Sequence, residues 1–177
     1  MDSRVIKVVD YDPKWVTLFE SEKQALESHL CRENTLAIHH IGSTSVPGLC
    51  AKPVIDILLE VADLDMLDQD NPAMELLGYR IRGEYGIPGR RFFLKGEIER
   101  THHIHAFVAG TDGIKRHLAF RNYLKAFESV MRAYGELKKE GAALCCNDID
   151  FYIHHKDAFI KHYEQEAICW MYGCSES

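Results

Sequence analysis

The residues whose types and spacing could do chemistry fall into three groups. The stretch HHIGSTSVPGLCAKPVIDILLEV, His39 to Val61, pairs a Gly-Ser turn with a single acid, Asp56. A glycine at a strand end lets backbone approach a ligand closely, and the N–H groups and hydroxyls of Gly42, Ser43 and Ser45 could hold phosphate. Asp56 lies on an otherwise apolar strand, where an unpaired carboxylate would be costly, so it needs a hydrogen bond, a cation or a metal. The second group is His103 and His105, an HxH pair on one side of a strand. Joined by Asp56, that pair could ligate a transition metal; alternatively, the rings could donate hydrogen bonds to phosphate or to Asp56. The third group is basic: Lys52, Arg90, Arg91, Lys95, Arg116 and Arg121. Cations converging on one pocket of an acidic protein suit an anionic small molecule.

The roles that follow are specific. Asp56 and His105 are the catalytic candidates. Gly42, Ser43, Ser45, Lys52, Arg91 and Arg121 are the phosphate contacts, and Asp56, His103 and His105 are the metal ligands. Each residue also has a plainer reading. Asp56 could cap a loop or pair with Lys52 or an arginine, histidines are often structural, and any single cation could sit on a solvated face.

These side chains need elements to carry them. Val5 to Val9 reads as an edge strand. Asp12 and Pro13 open an amphipathic helix to about Leu30 that carries Trp15, Phe19 and Leu26. Leu36–Ile41 and Val54–Val61 read as strands, the second with Asp56, Leu58 and Glu60 on one face and Ile55, Ile57, Leu59 and Val61 on the other. Asp63 to Leu77 is helical with a break near Asn71 and Pro72, and ends at Gly78. Tyr79 to Arg82 returns as a strand. RRFFLKG (90–96) and THHIHAFVAG (101–110) make a hairpin, with Arg91, Phe93 and Lys95 on one face of their strand and His103, His105 and Phe107 on one face of theirs, so that Arg91 and Lys95 could face the same cleft as Asp56. From Gly113 onward the apolar spacing is helical. Strands followed by helices predict an α+β fold, a mixed sheet backed by helices with a C-terminal helical layer.

The Ile41-Gly42-Ser43 turn, with Asp56 on the following strand, resembles the signature of the nucleotidyltransferase superfamily with the polymerase-beta-like fold. There, the resemblance implies, the turn holds a triphosphate and two acids at alternate strand positions bind two divalent metals. Here Leu58 occupies the second acid's position and Asp56 is the sole match. Glu60, roughly 13 Å along the strand at about 3.3 Å per residue, is too far to share an ion with Asp56. DYDPKW, HIGSTSVPGL, AKPVIDILLEV, HHIHAF, HLAFRNYL and the late Tyr152-xxx-Lys156 together resemble the GrpB family, from about Val5 to Ala167. The resemblance implies the nucleotidyltransferase-like fold and leaves the reaction open.

Composition bounds the rest. At 177 residues the chain is expected to form one domain over 5–172, with a sheet core at about 5–110 and a helical layer at about 113–172. A net charge of −6 argues against an extended nucleic-acid partner and leaves room for a nucleotide or another anionic small molecule. With no apolar run of membrane-spanning length and no signal-peptide core, no membrane partner is expected and the cytoplasm is the expected compartment. The six cysteines form no CxxC pair and are expected to be reduced thiols, mostly buried. No Walker A lysine motif, GxGxxG or GxSxG elbow is present, so Ser43 and Ser45 read as phosphate contacts rather than acyl-transfer nucleophiles.

Three readings stay open. One is an enzyme acting on a nucleotide or phosphate ester, with Mg2+ or another divalent metal on Asp56. The second is a degenerate transferase pocket that binds a nucleotide without turnover, and the third is a histidine-dependent metal hydrolase.

Overall fold

Alternation of apolar side chains places one face of each central strand in the main core, and that alternation decides which residues are left for the other face. The computed structural model describes residues 5–174. Helix α1 (Lys14–His29) precedes β1 (Thr35–Ile41), and a 3-10 turn (Ser43–Ser45) and loop lead to β2 (Ile55–Val61). Two short helices, α2 (Leu64–Gln69) and α3 (Asn71–Leu76), precede β3 (Tyr79–Ile81), β4 (Arg91–Lys95) and β5 (His102–Val108). Helices α4 (Asp112–Ala126), α5 (Glu128–Leu144) and α6 (Ile149–Tyr172) follow, so the fold is α+β as expected.

The sheet order is β1-β2-β5-β4-β3, with β2 and β5 parallel and every other neighbouring pair antiparallel. Ile55, Ile57, Leu59 and Val61 of β2 join Phe93, Ile104 and Ala106 beneath α1, with Trp15, Phe19 and Leu26 among the buried partners. On the opposite face, Leu58 packs with Ile41, Phe107 and Ile114 of α4. The parallel register sets Asp56 beside His103 and Leu58 beside His105, which builds the candidate site out of the two central strands.

Helix α1 starts where Asp12 accepts the Lys14 N–H at 2.9 Å, and Asp63 caps α2 in the same manner through Met66. The break between α2 and α3 falls at Asp70, directly before Asn71-Pro72.

Two expectations are corrected. Val5 to Val9 is not a strand; only Val9 makes a bridge, to Ala51, because Ile6 and Val8 turn toward Cys145 and Tyr152 in the helical layer. The cysteines are not all thiols, since Cys169 and Cys174 are bonded, while Cys50 and Cys145 are buried and Cys146 is exposed.

Candidate functional site

The carboxylate of Asp56 is the centre of the site. Its Oδ1 stands 3.4 Å from His103 Nδ1 and 3.4 Å from His105 Nε2, with the Asp56 side chain 28% exposed. Burial pushes the Asp56 carboxyl up, and the N–H groups of His103 and His105 pull it down further, so its net pKa falls below the usual carboxylate range. Asp56 is therefore an anion at neutral pH. His105 is held neutral by burial, partly opposed by Asp56, and His117, whose ring lies 5.1 Å from that of His105, is held well below its ordinary value by burial.

Gly42 is the residue that brings the turn against this acid. Its φ of 71° lies in the left-handed region, and a Cβ there would stand 2.6 Å from Asp56 Oδ2. Both facts require glycine. Gly42→Ala is expected to cost about 1–3 kcal/mol in denaturant unfolding from backbone strain alone, and to push the Asp56 carboxylate off its histidines. Full stability with unchanged ligand binding would count against this role.

The other turn residues divide. Ser45 Oγ donates to the Gly42 carbonyl at 2.5 Å and so staples the turn rather than facing outward. Thr44 Oγ1 meets His40 Nε2 at 2.9 Å, and Ser43 interacts with the Tyr134 hydroxyl of α5. Arg121 donates from Nη1 to the His40 carbonyl at 3.1 Å, tethering α4 to β1.

Arg91 does not share the Asp56 cleft. It makes a two-pronged pair with Asp68 of α2, at 2.7 and 2.9 Å, and Lys95 pairs with Glu22 of α1 at 2.9 Å. The parity that groups Arg91 with Phe93 and Lys95 is right, but Phe93 enters the core under α1, which carries both cations to the far side of the sheet. The arginine beside the histidines is Arg90, 6% exposed, whose Nη1 lies 3.4 Å from His105 Nδ1 while Nε and Nη2 donate to the Glu84 and Tyr85 carbonyls.

That contact sets a tautomer. A guanidinium only donates, so His105 Nδ1 accepts and its proton sits on Nε2, facing Asp56. An ion bound through Nε2 must displace this proton.

Asp56, His103 and His105 offer three ligand atoms that all lie within 4.8 Å of one another, so the cluster could hold a metal. Two observations bear on the fit. A charge-assisted N–H···O bond closes to about 2.7–2.9 Å, and these contacts stand off at 3.4 Å. A tetrahedral ion with bonds of about 2.0–2.1 Å holds its donors roughly 3.3 Å apart, close to the two carboxylate–imidazole separations of 3.4 Å. With two imidazoles and one carboxylate, the set suits a transition metal better than Mg2+, which prefers oxygen.

Five histidines, among them His39, His40, His102, His105 and His117, have pKa values lowered first by burial, that of His40 to about 4. A histidine depressed in the folded state is protonated first in the unfolded chain, at its ordinary value of about 6.5. The histidine contribution to stability is therefore expected to be complete above about pH 6.5 and to fall as pH drops toward 4, and the lowered Asp56 pKa adds a further loss below about pH 4. Denaturant midpoints from pH 7.5 to 4 test this; a flat profile would contradict it.

Among the described residues, no helix is long and apolar enough to cross a membrane. Fold and site together define an α+β protein with a histidine–carboxylate cluster at the middle of a mixed sheet. The chain belongs to the GrpB family, which it matches as "GrpB protein" over residues 5–166. It is 43% identical over 170 residues to the UPF0157 protein YqkA of Bacillus subtilis, covering 96% of this chain and 49% of that protein, about half its length. The crystal structure of conserved protein GrpB from Enterococcus faecalis superposes with a TM-score of 0.88 at 48% identity, covering 92% of this chain and 97% of that one. More distantly, a dephospho-CoA kinase of Mycobacterium leprae is 25% identical over 191 residues, spanning 92% of this chain and 46% of that protein.

Proposed function

We propose that this chain binds a phosphorylated small molecule, a nucleotide in the first instance, between the Gly-Ser turn and Asp56, and that one transition-metal ion on Asp56, His103 and His105 acts on its phosphate ester. The observation that carries this is the glycine-only backbone of Gly42 pressed against a carboxylate that two imidazoles approach at ion-binding spacing. The distant kinase relative adds support for a nucleotide ligand; this chain has no P-loop, and the match spans 46% of that protein.

When bound, the ion would polarise a phosphoryl oxygen or lower the pKa of a bound water. The chain's own part is to hold it: Asp56 supplies the charge, His103 Nδ1 and His105 Nε2 supply lone pairs, and the His105 proton must leave. Two-metal transfer is not proposed, because Leu58 is fully buried where a second acid would have to stand. That burial favours hydrolysis or ligand sensing over nucleotidyl transfer.

The deciding experiment is calorimetry with a panel of nucleotides and phosphate esters, with and without Zn2+, Mn2+ or Mg2+, alongside an assay of phosphate release. Binding that depends on Zn2+ or Mn2+ and is weaker with Mg2+ is expected. No binding of any phosphate compound under any condition would refute the proposal.

A further inference from the structure

Three lysines from distant parts of the chain meet beside the Gly-Ser turn. Lys138 of α5 is only 2% exposed, and its ammonium lies 4.9 Å from the centre of the Tyr134 ring. Lys156 of α6 sits 4.2 Å from the Tyr152 ring, and Lys52, from the loop before β2, approaches the same ring at 5.3 Å. Among the described residues, neither Lys138 nor Lys156 is ion-paired with a carboxylate. A buried ammonium is costly unless paired, and an aromatic face offsets only part of that cost. Like charges gathered in one place add to it.

We infer that Lys52, Lys138 and Lys156 form a condensed-phosphate site, taking a chain of two or three phosphates either free or as the tail of a nucleotide. The inference rests on the phosphate reading of the Gly-Ser turn and names the ligand's charge class. Lys52 and Lys156 are half-buried and form the mouth, Lys138 is the floor, and Tyr134 joins the floor to Ser43. Lysine is a flexible point donor with no planar fork, which suits successive phosphates along a chain better than a single carboxylate. Three lysines gathered over two rings call for more negative charge than one orthophosphate brings, about −2.

The groups facing Lys138 and Lys156 are Lys52 and Cys50 from the loop, Asp56 from β2, Tyr134 from α5 and Tyr152 from α6. Burial lowers Lys138 to about 7 and Lys156 to about 8; neighbouring lysines add to both shifts, while Cys50 and Asp56 oppose the first and Asp56 the second. A polyanion restores the charged forms. Binding at pH 8 should therefore take up protons, and affinity should fall as pH rises above 8.

The test is metal-free calorimetry of the full chain with orthophosphate, pyrophosphate, tripolyphosphate, adenosine and adenosine triphosphate, in two buffers of different ionisation enthalpy at pH 8. Tripolyphosphate is expected to bind at least about 10-fold more tightly than orthophosphate with net proton uptake, and K138M and K156M are each expected to weaken it at least about 10-fold. Adenosine triphosphate binding more tightly than tripolyphosphate would identify a nucleotide tail, and equal binding would identify free condensed phosphate; both outcomes support the site. K138M should melt no lower than the parent, since it removes an unpaired buried charge. If the partly exposed K156M and the buried K138M both leave tripolyphosphate affinity unchanged, or if orthophosphate binds as tightly, the inference falls while the turn reading survives. Absence of tripolyphosphate binding without metal would overturn the inference, and the turn reading falls with it only if every phosphate compound also fails to bind with Zn2+ or Mn2+ present.

Discussion

Asp56→Asn should retain the fold and lose the ion. Asparagine matches the shape of aspartate but lacks the charge, and a transition metal held by two imidazoles and a carboxamide oxygen is expected to bind at least about 100-fold more weakly. Metal-dependent phosphate-ester binding should be lost with it. The stability effect is expected to be smaller. A hydrogen bond to a charged group contributes about 1.5–3 kcal/mol, but the two here are long at 3.4 Å and the side chain is 28% exposed, so a net loss of about 1–2 kcal/mol is expected.

The sign with pH follows from the lowered Asp56 pKa. The Asp56 contribution is present above its unfolded value of about 4 and is lost as pH falls through the folded value. The Asn variant should therefore lack this acid limb while keeping the histidine limb between pH 6.5 and 4. Chelator competition with Zn2+ and urea unfolding at several pH values measure both. If the Asn variant holds Zn2+ as tightly as its parent, Asp56 is not a ligand.

Much of this arrangement was legible because side-chain parity sorts the strand residues by face. Ile55, Ile57, Leu59 and Val61 mark one buried face of β2, and the same alternation in HHIHAFV puts His103 and His105 beside Asp56 once β2 and β5 run parallel. Parity alone does not say which face looks where. Arg91 and Arg90 are equally basic, and only the entry of Phe93 into the core under α1 sends Arg91 to Asp68 and leaves Arg90 with His105.

The lysine site was less legible still. A lysine on a helix belongs to solvent by default, and apolar spacing gives no sign that α5 and α6 approach closely enough to bury one. The signal is Gly141, where an added Cβ would stand 2.9 Å from His155, and the Tyr152-xxx-Lys156 spacing that places ring and ammonium on one side of α6. Gly113 does the same at the start of α4, where a Cβ would fall 2.5 Å from the Phe107 ring. Glycines inside helices mark close packing that apolar periodicity cannot.

Leu58→Asp, which would restore the acid pair of the nucleotidyltransferase signature, is expected to unfold the protein rather than create a second metal site. Leu58 is 0% exposed and packs with Ile41, Phe107 and Ile114 under α4. Losing a leucine side chain from such a site costs about 2–5 kcal/mol. The new carboxylate would add its own burial penalty, with Asp56 about 6.6 Å away on the same face as a like charge. Total stabilities of about 5–15 kcal/mol leave little after both losses. Leu58→Met, which keeps the volume and adds no charge, should cost less than about 1.5 kcal/mol and leave phosphate binding intact. The pair separates two meanings of Leu58. A folded Leu58→Asp protein that gains Mg2+ affinity would mean that this face of β2 opens to a cleft, and two-metal transfer would return as a reading. An unfolded one, beside a stable Leu58→Met, would mean that α4 has taken the second acid's place, and that any chemistry at Asp56 depends on its histidines.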